Sequence, residues 1–481
     1  MTLAAKGASL AAAAVLAVTA AGAGAGHASE PLPALVPDVA STATPRVTGG
    51  ACYPGVEDPS ACRRVLSMLR IGDWIYVGGS ISDVYNPGTG VTTGGFHNLF
   101  RFNATTAQLD TSFKPQLYRT TDAYRNAGVT GLAASSDGLT LYASGSFTRV
   151  APRPGAADVV RKGVAAFDST TGAVRTGFNA RVCTGGGGCS VNDVRRVNET
   201  LWLGGNFTNV GGVNKTALAS VDPVTGAPTS NITVTFSGVV TTTTATKVHQ
   251  IAINAQKTKA AVIGNFAQVG GITHKEVVLL QIGANGGSTS PTPWNAPTYL
   301  DASEANCSQR ATWARGVDWD PTGTFFNIAA SGAGGFDAYP GLCDSYTRFK
   351  GDDNPNSVPL IVNATGFDSL FTVCDVGDYV YLGGHNKNLN HAVRINGVKV
   401  RAGNEAHYGI GAVSVNPNDA NYGKAVSHWN DSTETGRGAG WMACLSVGRS
   451  AAGGGGVYMG GDAENVNGNA AIERLAYFPV G

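Results

Sequence analysis

Side chains that could do chemistry gather in four connecting stretches, 114–127, 179–191, 295–312 and 430–440. They supply Tyr118, Arg119, Tyr124, Arg125, Tyr299, Asp301, Glu304, Arg310 and Arg437, with Trp313 and Trp441 where the next apolar runs begin. Aromatic rings beside hydrogen-bonding groups suit sugars, which have apolar faces and polar rims. They suit protein partners equally, because Tyr, Trp and Arg dominate binding hot spots. Packing within the loops is the plainer role for any single one of them. Asp301 and Glu304, three residues apart in one of these stretches, are the candidate pair of carboxylates, and a glycoside hydrolase needs its pair about 5 or 6.5–9.5 Å apart. No GxSxG elbow, HExxH helix or GxxxxGK[ST] loop occurs in the chain, so the familiar nucleophile, zinc-peptidase and phosphate-cradle signatures are absent.

Metal chemistry has a weaker basis. The eight cysteines are Cys52, Cys62, Cys183, Cys189, Cys307, Cys343, Cys374 and Cys444. They contain no CxxC pair, so disulfides are favoured over zinc. Their spacing suggests Cys52–Cys62, Cys183–Cys189, Cys307–Cys343 and Cys374–Cys444. The Gly run 185–188 then belongs to a clipped loop. His385 and His391 form the one close histidine pair and have no third ligand nearby. Asp352-Asp353-Asn354 and Asp318 with Asp320 could hold calcium, but turns need the same residues. No cofactor is expected, and calcium is the alternative.

The 481 residues carry 34 Lys+Arg against 33 Asp+Glu, with only 14% charged residues and 66 Gly. Residues 1–28 open with Lys6, continue through the apolar run Leu10 to Ala20, and end in Gly26-His27-Ala28. That is the layout of a secretory signal cleaved after Ala28, Ala25 or Ala23. The run is shorter than the roughly 20 residues a membrane span requires. Removing Lys6 leaves 33 basic against 33 acidic residues. A neutral secreted chain argues against nucleic acid and anionic membrane surfaces as partners.

What must position these loops is a repeat. Seven short β-rich runs end in small residues, usually two, as in Ile75-Tyr76-Val77-Gly78-Gly79 and Leu201-Trp202-Leu203-Gly204-Gly205. The others are Leu141 to Gly145, Ala261 to Gly264, the degenerate Phe326 to Ala330, Val380 to Gly384 and Val457 to Gly461. Their last small residues fall at 79, 145, 205, 264, 330, 384 and 461, so the steps are 66, 60, 59, 66, 54 and 77. Each has an apolar run before it and another after it, separated by Gly, Asn and Pro turns. No segment has a 3.6-residue period. Seven units of about 60 residues and four strands each make an all-β protein, a single seven-bladed β-propeller. One such sheet cannot bury both faces alone; stacking seven does. The Gly pair would let the second strand pass close to its neighbour. The chain divides into a signal (1–28), a flexible lead (29–44) and the propeller (45–481). The last unit stops after its third strand, so the stretch Pro45 to Val47 is expected to supply its fourth. Trp294 and Trp429 take the place of Phe113 and Phe178 in other units and are expected in the core.

The segment Leu201-Trp202-Leu203-Gly204-Gly205-Asn206-Phe207-Thr208-Asn209-Val210-Gly211-Gly212, repeated in Val262 to Gly271, resembles the delta-60 repeat β-propellers exported by actinomycete-like bacteria. The resemblance covers about 75–481. Unit five lacks the Gly pair, and unit six lacks the following Phe. It implies the fold and a secreted, extracellular bacterial setting, and it implies no reaction. The reading is therefore a secreted, non-catalytic recognition module. It would bind cell-surface glycan in a lectin-like way or dock onto another secreted protein. A glycan-active hydrolase or lyase and a structural cell-envelope protein are the alternatives.

Overall fold

The structure, a computed structural model, describes residues 31–32, 35–49, 63–119, 128–182, 189–240, 245–297, 300, 313–332, 343–366, 368–403, 405–426, 440–448, 455–466 and 469–480. All named elements are strands. No helix among the described residues is long and apolar enough to cross a membrane.

Seven antiparallel sheets carry the repeat. Unit one consists of Arg64–Ile71, Trp74–Ser80 and Leu99–Asn103. The later units begin with Val129–Ala134, Ser190–Val197, Lys247–Ile253, Trp313–Trp319, Leu370–Asp375 and Trp441–Val447. All seven runs are the second strands of these sheets. The first strands pack one on the next from unit one to unit seven, and that of unit seven packs on that of unit one.

The expected fourth strand is reduced. In five units it is a single antiparallel bridge to the third strand, at Leu109, Val174, Pro228, Pro291 and Ala425. Two of these residues are prolines, which have no N–H for a ladder. Unit five is the exception. Its fourth strand, Ile361–Ala364, pairs fully and runs on into the hairpin Ala392–Ile395 and Val398–Ala402 of unit six, giving one six-stranded sheet.

The N-terminal expectation is corrected. Strand Arg46–Gly49 does not pair with the last sheet; it pairs with Asp83–Asn86 in unit one. The last sheet instead receives Ser41, whose N–H donates to Tyr477 O at 2.7 Å. The strand still touches unit seven through side chains: Arg474 Nη1 donates to Val47 O at 3.0 Å, and Arg46 Nη1 to Ala470 O at 3.1 Å. The reason is register, because residues 46–49 occupy the place that Gln116–Tyr118 takes beside the hairpin of unit two. Within the lead expected to be flexible, Leu32, Val36 and Ala40 are buried against units six and seven.

Among the described residues the core is divided. Seven hydrophobic clusters each draw on two consecutive units. One of them joins Tyr458 and Leu475 of unit seven to Val65 and Ile75 of unit one. Trp294 is buried as expected, edge-on to Phe326 and Phe349 at 5.1 and 5.4 Å. Burying one such side chain contributes roughly 1.5–3 kcal/mol, and the clusters repeat that gain at each boundary.

The two glycines of the pair do different work. A Cβ on the first would press into the next unit: on Val129 Cγ1 at 2.5 Å from Gly78, on Val248 Cγ1 at 2.7 Å from Gly204. From Gly460 in unit seven it would strike Val65 of unit one. A Cβ on the second would strike its own first strand, at the carbonyl oxygens of Arg64, Gly128, Ser190, Lys247, Ser369 and Gly440 in six units. The expected close approach to a neighbouring sheet thus belongs to the first glycine alone.

Candidate functional site

The close approach at the second glycine marks a β-bulge. In all seven units the first strand slips register at the same place: between Val65 and Ser67, Val129 and Gly131, Val191 and Asp193, and Val248 and Gln250. The other three slips lie between Ala314 and Gly316, Leu370 and Thr372, and Trp441 and Ala443. A bulge re-aims the extra residue. Here the seven extra residues are Leu66, Thr130, Asn192, His249, Arg315, Phe371 and Met442. All are half-buried, and all line one cavity of about 630 Å³. That volume is within the range of small-ligand sites, roughly 300–1,000 Å³.

Polar side chains tie the wall together from unit to unit. Ser67 Oγ donates to Val129 O at 3.2 Å, Thr130 Oγ1 to Val191 O at 3.3 Å, and Asn192 Nδ2 to Val248 O at 2.7 Å. Gln250 Oε1 accepts from Val317 N at 2.9 Å, and Asp318 Oδ2 from Asp375 N at 3.0 Å. Between units six and seven a covalent bond takes over, the expected Cys374–Cys444 disulfide. It joins positions one residue out of register, because Cys374 faces Tyr381 and Cys444 faces Met459 in their hairpins. Cys189 and Cys343 are also disulfide-bonded, while Cys52, Cys62, Cys183 and Cys307 lie outside the described residues.

The cavity is charged, and part of its wall is buried. Arg64, Arg195, Lys247 and Arg315 line it, with Asp193 and Asp318. Arg195 is only 6% exposed; its Nε donates to Ile251 O at 2.7 Å, and its Nη2 stands 3.1 Å from Asp193 Oδ2. Burial pushes Arg195 down to about 9 and the Asp193 carboxyl well up. His249 is held at about 3 by burial first and then by the charges of Lys247 and Arg315, so it is neutral near pH 7. Arg315 Nε donates to Ser331 Oγ at 2.9 Å, and its guanidinium lies 5.8 Å from the centroid of the Phe371 ring. His385 packs edge-on to that ring at 4.9 Å.

The residues singled out from sequence fall elsewhere where they are described. Tyr118 lies in the strand Gln116–Tyr118 at the edge of unit two, where its hydroxyl donates to Asp158. Arg119 follows it and is half-buried. Neither lines the cavity. Trp441 is 1% exposed within the cluster of units six and seven; its neighbour Met442 is the residue that reaches the cavity. Trp313 begins the first strand of unit five. Tyr124, Arg125, Tyr299, Asp301, Glu304, Arg310 and Arg437 lie outside the described residues, as does Trp429. Asp320 closes a turn, its Oδ1 accepting from the N–H groups of Thr324 and Phe325 at 2.7 and 2.6 Å. Asp318 is instead part of the cavity wall.

The sequence reading missed the seven bulged residues because they share no type. The available signal was positional: each lies a hairpin's length before the second small residue, directly after a buried Val, Ala, Leu or Trp.

No family model matches the chain, and no curated protein does either. Among solved structures, U3-55K aligns with a TM-score of 0.44 and 8% identity, over 92% of this chain and 100% of that one. The extracellular domain of the putative one-component system BT4673 from B. thetaiotaomicron aligns at 0.40 and 11%, over 90% of this chain and 40% of that one. The computationally designed Ika8 protein aligns at 0.40 and 9%, over 87% and 96%. At such scores these likenesses bear on neither ancestry nor activity.

Proposed function

We propose that this chain is a secreted recognition module: one seven-bladed β-propeller of the delta-60 repeat type whose axial cavity binds a glycan. The observation that carries this reading is the bulge that recurs in all seven first strands and turns one side chain from each into a shared cavity. Bulges recur where a side chain must be re-aimed, and seven of them at one level turn seven side chains toward one space. The propeller is supported by the seven two-unit clusters, above all the one that unites units seven and one. Polar groups beside an aromatic ring and two apolar side chains suit a sugar. Export is supported by the leader-like 1–28 and by the disulfides.

The test is a glycan and cell-wall polysaccharide array probed with residues 29–481, with and without calcium. A saturable hit, lost on replacing Phe371 by Ala in a protein that still melts normally, is the expected result. A blank array with capture of one secreted partner would replace the glycan by a protein. Cleavage of the bound glycan would make the chain a hydrolase or lyase. Sequencing of the natural product from culture fluid should begin at residue 24, 26 or 29.

A further inference from the structure

The lead between the leader-like segment and the first sheet belongs to no strand until Arg46, yet every fourth residue of it is buried: Leu32, Val36, Ala40 and Thr44. Three of these four stand immediately before a proline, Pro33, Pro37 or Pro45. A residue before proline is pushed into an extended conformation, so the lead is stiffened at its anchors. Three of its N–H groups reach the sheets. That of Leu32 donates to Val376 O at 3.0 Å and that of Val36 to Tyr381 Oη at 2.8 Å, both in unit six, while that of Ser41 donates to Tyr477 O in unit seven at 2.7 Å. The lead therefore crosses the boundary between these two units. There Leu32, Val36 and Ala40 share a cluster with Tyr381, Trp441 and Phe478. None of the other clusters among the described residues draws on 31–44.

The repeat says what this place is. Tyr381 stands two residues before the first small residue of its run, as do Tyr76, Tyr142 and Trp202. In those three units the ring donates to the turn after the third strand of the next unit: Tyr76 Oη to Ser169 O at 2.7 Å, Tyr142 Oη to Pro223 O at 2.8 Å and Trp202 Nε1 to Gly286 O at 2.7 Å. At Tyr381 the lead comes to the same place, and the hydroxyl accepts from Val36. A separate segment thus fills a position that a turn of the neighbouring unit fills elsewhere.

We infer that the boundary between units six and seven carries a peptide groove for an extended, proline-spaced apolar segment, and that residues 31–41 of the same chain fill it as a strap that leaves and returns while the seven sheets stay folded. The attachment is of the kind that opens locally. The strap shares no ladder with a sheet, and Pro31, Pro37 and Val39 are exposed between its anchors. Segments held in this way open at a lower free energy than core strands. The recognition chemistry is that of proline-rich peptides on aromatic-lined grooves, where a chain extended beforehand loses little freedom on docking.

The experiment is amide hydrogen exchange on residues 29–481, followed by titration with a fluorescent peptide of the chain's own residues 31–41. In the unaltered protein the N–H groups of Leu32, Val36 and Ser41 should exchange together, at least about a hundredfold faster than those of Thr200–Asn206 in unit three. Exchange of the strap only as slow as unit three would make it an integral part of the fold and overturn the inference. Val36→Asp should release the strap while unit three keeps its protection. The peptide should then bind this variant saturably, and bind the unaltered protein, whose groove is filled, at least about tenfold more weakly. A peptide with Ser in place of Leu32 and Val36 should lose at least about tenfold in affinity for the variant. Loss of unit-three protection in Val36→Asp, or a folded variant that ignores the peptide, would overturn the groove. Dimers of the unaltered protein that the peptide dissolves would assign the strap to a second copy and overturn its docking within one chain.

Discussion

Replacing Gly205 by Ala tests the link between the repeat motif and the site most directly. An added Cβ would overlap Ser190 O and stand 2.9 Å from Val191 Cα. Unstrained carbon–oxygen contacts begin at roughly 3.3 Å and carbon–carbon contacts at roughly 3.5 Å. Both obstacles are backbone, so no side chain can swing aside. On its other edge the strand is held by the Gly205 N–H to Ala217 O bond at 2.9 Å. Overpacking of this kind costs about 1–3 kcal/mol, and each ladder bond given up adds about 1 kcal/mol. The expected destabilisation is about 2–4 kcal/mol, read as a drop in urea midpoint at constant m. Two controls separate the causes. Gly177→Ala meets nothing within 4 Å and should be near neutral. Gly212→Ala meets nothing either but has φ +89, so it should lose about 1–2 kcal/mol from left-handed strain alone. Because the same bulge aims Asn192 into the cavity, Gly205→Ala should also weaken ligand binding. If it melts like Gly177→Ala, unit three accommodates a Cβ at this position as unit five does at Ala330, and the reasoning fails.

Three further outcomes are expected. Cys374→Ala with Cys444→Ala opens a bond spanning 70 residues and should lower stability by about 2–4 kcal/mol, measured by urea titration with and without reductant. His97 and His249 have folded values of about 4 and 3, below the ordinary 6.5. Burial is the main cause at each. The unfolded chain therefore binds more protons just below pH 6.5, so the stability they contribute is present above that pH and lost as it falls toward about 4; His97→Asn with His249→Asn should flatten the midpoint across that window. Arg474, buried and bonded to Val47 O, should on change to Met release the strand Arg46–Gly49, seen as faster amide exchange there while the strands of unit three keep their protection.

The fold was legible where a residue type is imposed by contact. Small residues at the end of a β run, a glycine pair in four of the units, are such a mark, because these positions abut neighbouring atoms, and the seven second strands were found from that ending together with the β-rich run before it. Other repeated features leave no such trace. The residue before each third strand has positive φ in every unit, yet it is Asn98, Gly163, Ala217, Glu276, Asp344, Gly409 and Arg474 in turn. There the neighbouring hydrogen bonds fix the backbone, as in Glu276 N–H to Phe266 O at 3.0 Å, and the side chain is free to serve locally: Glu276 accepts from Ala314 N of the next unit. The bulged residues are varied for a related reason, since each faces the cavity and none must fit the repeat. Loop aromatics such as Tyr118 drew attention by type, but type alone did not tell an edge from an axis.

The contacts of Arg46–Gly49 with units one and seven also set the order in which the chain can finish folding. Two of them span 424 and 427 positions. Residues made first cannot be locked until nearly the last ones have left the ribosome. Long-range closure of this kind slows folding, and until it happens the first unit lacks the neighbour that covers one of its faces. The chain therefore stays open during synthesis. Under the export reading proposed above, that delay would keep the chain threadable through a membrane pore until its last residues are made.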